Sequence, residues 1–228
     1  QRNNLLKSAR ATGTRGSALS TLDAWDESLV NYGAEIIAAR VDLVNRIRPE
    51  LLLAYQAIAG AGQDTQIFVK SSILQDTADD PDEPMPEEYL ELTDRAEIST
   101  VFMDRLRQIR PKELERGITL IGPQRDDLAL FLGDLPVKGF ASHGESWSYA
   151  LALRLASANL LRAESRLGDP IIILDDVFAE LDTGRRDRLS ELIQPSEQVL
   201  ITAAVADDVP SELSARKFHV KQGVITGE

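Results

Sequence analysis

Along residues 22–60, apolar side chains return every three or four positions, the spacing of a helix with one buried stripe. Leu29, Tyr32, Ile36, Ala39, Leu43 and Ile47 form the expected apolar face. Pro49 predicts a kink or a restart, because the residue before a proline is disfavoured in the helical region. Gly60 and Gly62 end the segment. Thr65–Ile73 then reads as a strand with a polar interruption, and 86–110 as a helix through Leu90, Leu92, Ala96, Val101, Phe102, Leu106 and Ile109. Ile118–Ile121, Leu128–Leu132 and Val137–Phe140 read as short strands between turn signals, with Gly133-Asp134 as a hairpin turn.

The pattern changes again after Ala141. Apolar residues and alanines dominate from Ala150 to Leu161 with few breakers, which predicts a helix over 141–162. Ser142 suits its N-cap, and Glu145 three residues on completes a capping box. Ile171, Ile172, Ile173 and Leu174 follow Pro170 as an unbroken apolar run, the signature of a strand buried on both faces of a parallel sheet. Gly184–Ile193 reads as a helix and Gln198–Thr202 as a second buried strand. Lys217–Val220 and Val224–Thr226 flank Gln222-Gly223 as a hairpin expected to close the sheet. Helices alternating with strands make the fold class α/β, with residues 1–62 as a helical arm and 63–228 as the sheet-bearing part. The arm fits either a partner-binding role or plain packing.

Composition narrows the classes further. The chain has 228 residues and no cysteine, which excludes disulfides and thiolate metal sites, and its two histidines argue against a histidine metal cluster. No segment approaches a membrane-spanning apolar length and no signal peptide is visible, so a cytoplasmic protein without a membrane partner is expected. The net charge of −12 is awkward for a DNA-binding surface, which needs Lys and Arg. Much of the acid is local, however: residues 76–88 hold seven carboxylates and three prolines and read as a solvated loop. The first sixteen residues carry Arg2, Lys7, Arg10 and Arg15 and no acid. That cluster suits DNA-backbone contact, and it suits a solvated helix end equally.

Two segments carry candidate chemistry. Asp175 and Asp176 end the apolar run, at the strand edge where open α/β sheets bind ligands. In nucleotide hydrolases the first acid of such a pair helps hold Mg²⁺ and the second orients or deprotonates water. A buried strand that simply ends in two exposed aspartates fits as well. Ser142-His143-Gly144-Glu145 opens a helix whose N-terminal N–H groups and dipole favour an anion, though a well-capped core helix needs the same residues.

The order of these segments resembles the C-terminal half of an ABC-type ATPase. Ser142-His143-Gly144-Glu145 looks like the signature motif, Asp175-Asp176 like Walker B and the catalytic acid, and Ala179-Glu180-Leu181-Asp182 like the D-loop. The resemblance is closer still to the bacterial RecF family. Gly122-Pro123-Gln124-Arg125-Asp126-Asp127-Leu128 is similar to its Gly-Pro-His-Arg-Asp-Asp-Leu block, with Gln124 at the His position. Gln1-Arg2-Asn3-Asn4-Leu5-Leu6-Lys7 is similar to its basic arm segment, and Trp25-Asp26-Glu27 to the Trp-acid pair that follows. No G-x-x-x-x-G-K-[ST] phosphate loop occurs and the chain starts at Gln1, so a C-terminal piece of a longer protein is expected, one that alone neither binds ATP tightly nor hydrolyses it.

The resemblance implies a P-loop NTPase fold: the C-terminal part of an ABC-type head, with a helical arm at residues 1–62. It implies ATP and Mg²⁺ as cofactors of the intact protein, with Asp175 on the metal and Asp176 on the lytic water. Ser142, Gly144 and Glu145 would contact ATP held by the other copy of a head-to-tail homodimer, and Asp182 would align that interface. A switch histidine is missing after the strand VLITA, leaving Thr202 as a weak substitute. Arg125 and Asp126 fit a structural ion pair. The implied partners are double-stranded or gapped DNA and recombination mediators of the RecR and RecO type, in DNA replication, recombination, repair and the SOS response. An ABC-type ATPase of another class is the alternative, either a transporter subunit or a chromosome-maintenance protein. Against these stand Ser-His-Gly-Glu in place of Leu-Ser-Gly-Gly-Gln, and glycines and Pro49 in a segment that would need long heptads.

Overall fold

The computed structural model describes residues 1–12, 17–60, 62–74, 89, 91–166, 168–213 and 215–227. The acidic segment 76–88, Leu90 and Arg15 lie outside the described residues, as do the side chains of 17–19. The chain forms two compact units that interleave along the sequence: residues 1–48 with 66–136, and 49–65 with 137–228.

In the first unit α1 (Arg2–Thr12) is followed by α2 (Ser17–Ala59), which runs on into the second unit and keeps Pro49 inside it. The kink or restart expected at Pro49 does not interrupt the helix, but the boundary between the units falls there. The buried stripe of α2 also differs from the expected one. Of the expected face Ile47 is buried and Leu29 half-buried, whereas Tyr32, Ile36, Ala39 and Leu43 are exposed; Val30, Ala34, Ile37, Val41, Val44 and Leu51 are buried with Ile47. Moving one residue along a helix turns the face by about 100°, and an alanine-rich helix with two apolar stripes does not say which one packs. Gly33 explains part of the choice: a Cβ there would stand 2.7 Å from Phe102 Cε1, so the helices approach closely only at a glycine.

β1 (Thr65–Lys70) alternates strictly between buried and half-buried positions. α3 (Arg95–Arg116) begins later than the expected 86–110 helix, because Asp94 caps it by accepting from Ala96 N and Glu97 N. It passes through Pro111 and stops at Gly117, which adopts the left-handed conformation of a helix C-cap. Ile98, Phe102, Leu106 and Ile109 form its buried face. Residues 118–121 form no strand. β2 (Asp127–Leu132) and β3 (Leu135–Pro136) make the expected hairpin around Gly133-Asp134, and the three strands order as β1-β2-β3.

The later stretch of the second unit, from residue 137, opens with α4 (Val137–Phe140), a single distorted turn in place of the expected third strand. α5 (His143–Glu164) buries Ser148, Tyr149, Leu151, Ala152, Leu155 and Ala156, one helical stripe. β4 (Ile172–Asp175) and β5 (Val199–Thr202) pair in parallel, as expected, with Asp175 opposite Thr202. They are not buried on both faces: Ile173 is 65% exposed and Leu200 48%. Between them lie a short 3₁₀ turn (Val177–Glu180) and α6 (Thr183–Ile193), capped by Asp182. β6 (Phe218–Lys221) and β7 (Val224–Gly227) form the expected hairpin about Gln222-Gly223, both at positive φ. Among the described residues the hairpin pairs only with itself and does not join the β4-β5 sheet. No helix among the described residues is long and apolar enough to cross a membrane.

Candidate functional site

β4 and β5 end side by side, and the parallel register sets Asp175 against Thr202 at their carboxyl edge. The Thr202 hydroxyl donates to the Asp175 carboxylate. Asp176 N donates to Thr202 O at 3.1 Å, which closes the edge. Asp176 itself sits at φ 55°, in the left-handed region that a non-glycine residue adopts only at some cost. The chain turns sharply there, and both carboxylates stay exposed. One or two carboxylates at a polar edge fit a hard cation that keeps most of its water, such as Mg²⁺. Among the described residues, no cluster of three or more His, Asp or Glu could hold a metal by itself.

The Ser142–Glu145 turn sits at the N-terminus of α5, and the capping box expected from the sequence is formed in both directions. Ser142 Oγ accepts from Glu145 N at 3.3 Å, while Glu145 Oε2 accepts from Ser142 N at 2.8 Å and from Ser142 Oγ at 2.7 Å. The Ser142 backbone N–H is the largest influence on the Glu145 carboxyl and holds its pKa below the ordinary value, helped by the hydroxyl and by the charge of Arg185. Glu145 is thus turned back on its own cap. His143 is exposed, with Nε2 3.7 Å from Glu180 Oε2. Deeper in α5, burial raises the pKa of the Tyr149 phenol, with a contribution from Tyr55, whose ring lies 6.1 Å away.

The segment following β4 lies beside this turn. Asp182 Oδ1 accepts from Arg185 N at 3.0 Å and caps α6, and the Arg185 guanidinium stands 3.5 Å from Asp182 Oδ2. A Cβ at Gly144 would fall 2.9 Å from Arg185 Nη1. The turn and the segment 179–185 therefore form one surface of the second unit. Arg185 was not among the residues singled out from the sequence. Its only local sign is the i,i+3 spacing to Asp182, which many helix starts share.

In the first unit the other motif residues meet, and they do so in a buried polar cluster. Arg2 Nε donates to Asp26 Oδ1 at 2.7 Å, Nη2 to Glu113 Oε2 at 2.5 Å, and Nη1 to Thr119 Oγ1 at 2.7 Å. Arg110 joins from α3, binding Asp26 at 2.5 Å and Asp23 at 2.6 Å. Asn3 Oδ1 accepts from Thr119 N, and Glu113 Oε1 from Leu120 N. Burial alone would lower the Arg2 pKa, but hydrogen bonds and charge from Glu113 and Asp26 outweigh it and raise it. Arg2 is buried and already carries two carboxylates, so it is not placed for a DNA phosphate. Lys7 and Arg10 are exposed on the same helix, and Arg10 donates to Arg116 O at the end of α3. Lys112 and Arg116 add exposed positive charge there.

The ion pair expected between Arg125 and Asp126 does not form. Asp126 Oδ1 accepts from Ser72 N at 2.8 Å, and its nearest cation is Arg40 at 3.9 Å. Arg125 donates to Thr119 O instead. Adjacent residues in a turn point apart, and each found a partner from elsewhere in the unit.

No protein-family model matches the chain. Proteins named DNA replication and repair protein RecF are similar along almost its whole length. That of Clavibacter sepedonicus is 53% identical over 231 residues, covering 99% of this chain and 56% of the relative. That of Leifsonia xyli subsp. xyli is 50% identical over 229 residues (99% and 58%), and that of Streptomyces avermitilis 49% over 228 (99% and 57%). The chain spans a little over half the length of these curated relatives. Among solved structures, the recombination mediator protein RecF-ATPrS in the RecFOR pathway superposes with a TM-score of 0.75 at 24% identity, over 99% of this chain and 54% of that one. The RecF-ATP structure of the same pathway gives 0.76 at 22%, over 100% and 54%. The fold is therefore the one expected, the C-terminal half of an ABC-type ATPase head with helical elements ahead of it.

Proposed function

We propose a function on one premise: the chain belongs to the RecF family. It is part of an ATP-dependent DNA-binding protein of recombinational repair that works in the cytoplasm. The intact protein closes as an ATP-driven homodimer on double-stranded DNA near single-strand gaps. It acts there with mediators of the RecR and RecO type to help load recombinase. The relatives' name, at about half identity over nearly the whole chain, is the observation that carries this reading.

Each site residue has a place in it. Asp175, steadied by the Thr202 hydroxyl, would hold Mg²⁺ at the strand edge. Mg²⁺ would supply neutralisation of phosphate charge. Asp176, aimed by its left-handed backbone, would orient the lytic water. Ser142 and Gly144 would meet the nucleotide of the second copy, with Glu145 holding the turn in shape rather than touching the phosphate. Asp182 would stand at the same interface, as two-fold symmetry requires of a head-to-tail pair. Lys7 and Arg10 would contact DNA backbone, joined by Lys112 and Arg116; Arg2 is committed internally. Nothing in the fold or in the relatives favours a transporter or a chromosome-maintenance role.

The test is made on the protein at the full length of its relatives. Binding to gapped duplex DNA is measured with and without ATP, for wild type and Ser142→Arg. ATP-dependent binding that is lost in the variant is expected. Binding indifferent to ATP, or untouched by Ser142→Arg, overturns the reading.

A further inference from the structure

Arg185 lies where two motifs of the second unit meet. Its backbone N–H is held by Asp182 Oδ1 at 3.0 Å, and its guanidinium is drawn towards Asp182 Oδ2 at 3.5 Å. The guanidinium then reaches across to the start of α5, where it occupies the space a side chain at position 144 would need, 2.9 Å from an added Cβ. Gly144 has a φ that any residue adopts, so backbone conformation does not demand a glycine there. An added Cβ would instead push the end of the Arg185 side chain aside, because the guanidinium is what occupies that space. The side chain is three-quarters covered, unusual for an arginine at a helix start, where the guanidinium is normally free in water.

We propose that Arg185 is a positioning residue of the nucleotide site, bracing segment 179–182 against the Ser142–Gly144 turn so that both meet the second copy's ATP as one rigid surface. The inference rests on the function proposed above. It gives the two motifs a shared mechanical part, so a shift of either one moves the other. A planar guanidinium spans both contacts at once, and the compact ammonium of lysine keeps the charge without that reach.

Five full-length proteins test it: wild type, Arg185→Ala, Gly144→Ala, the double variant and, as the conservative check, Arg185→Lys. ATP binding to the isolated subunit, steady-state kcat and KM, and melting temperature are measured for each. Arg185→Ala is expected to bind ATP as wild type does, with kcat lowered about tenfold and KM little changed, the mark of an interaction used beyond ground-state binding. Arg185→Lys is expected to recover part of the loss. Gly144→Ala displaces the guanidinium, so it should reproduce the loss, and the double variant should be no worse than either single change. A kcat unchanged per folded protein, or strictly additive effects of the two changes, overturns the brace. A wild-type protein inert towards ATP overturns the proposed function instead. In that case the coupling of positions 144 and 185 in melting temperature still decides the brace, by its presence or absence.

Discussion

Glu145 shows how much a single side chain settles locally. Ser142 and Glu145 satisfy each other's backbone N–H groups, so this capping box forms from residues three positions apart without help from elsewhere. The carboxyl is held below its ordinary pKa of 4.5. A depressed pKa stabilises the folded state above the unfolded value, and that contribution is lost as pH falls through the folded one. In a thermal melt against pH, wild type should therefore exceed Glu145→Gln at neutral pH, and the gap should close below about pH 4. A gap independent of pH would mean that the carboxylate does not carry the cap. At the strand edge, Asp175 and Thr202 show the opposite case. They are far apart in sequence, and only the parallel register of β4 and β5 joins them.

At the scale of elements, α1, α2, α3 and the loop after Gly117 are tied by one buried polar cluster around Arg2. Its carboxylates, Asp26 and Glu113, are almost wholly buried, so they need the guanidinium that neutralises them. Removing one partner of a buried pair leaves an uncompensated charge and typically costs about 3–5 kcal/mol. Arg2→Ala should lower unfolding free energy in urea by about that amount, far more than the ~0–1 kcal/mol expected from an exposed Lys7→Ala change. Equal, small effects of the two changes would remove the cluster as an organiser of the unit. The cluster also explains why the Gln-Arg-Asn segment and the Trp-Asp pair accompany each other in the sequence. Arg2 of one bonds Asp26 of the other, and that is a packing role rather than a ligand-binding one. The mistaken stripe on α2 belongs to this scale too. Ile37 is no more apolar than Ile36, and the stripe that packs is the one whose neighbours include Gly33, where Phe102 fits.

For the whole molecule, the missing phosphate loop has a direct consequence. The 228-residue sequence carries an acid pair and a capped turn but no G-x-x-x-x-G-K-[ST] motif, so no ATP turnover by the purified chain is expected, and none after adding Mg²⁺. A phosphate-release assay checks this, and turnover above the Asp176→Asn background would refute it. The exposed Ile171, Ile173 and Leu200 belong to the same picture, since strands with such side chains usually end up covered. What the sequence determined by itself was local or periodic: the cap of α5, both two-residue hairpin turns, the position of the acid pair at the end of an apolar run, and the order of motifs that marks the family. Each depends on residues a few positions apart, whose backbone preferences act before any tertiary contact forms. The fold decided the rest. It chose the packed stripe of α2, paired Arg2 with Asp26 and Glu113, separated Arg125 from Asp126, set Thr202 on Asp175 and laid Arg185 over Gly144. In each case several partners were chemically equal, and the choice among them was made by which segments distant in sequence came to lie side by side.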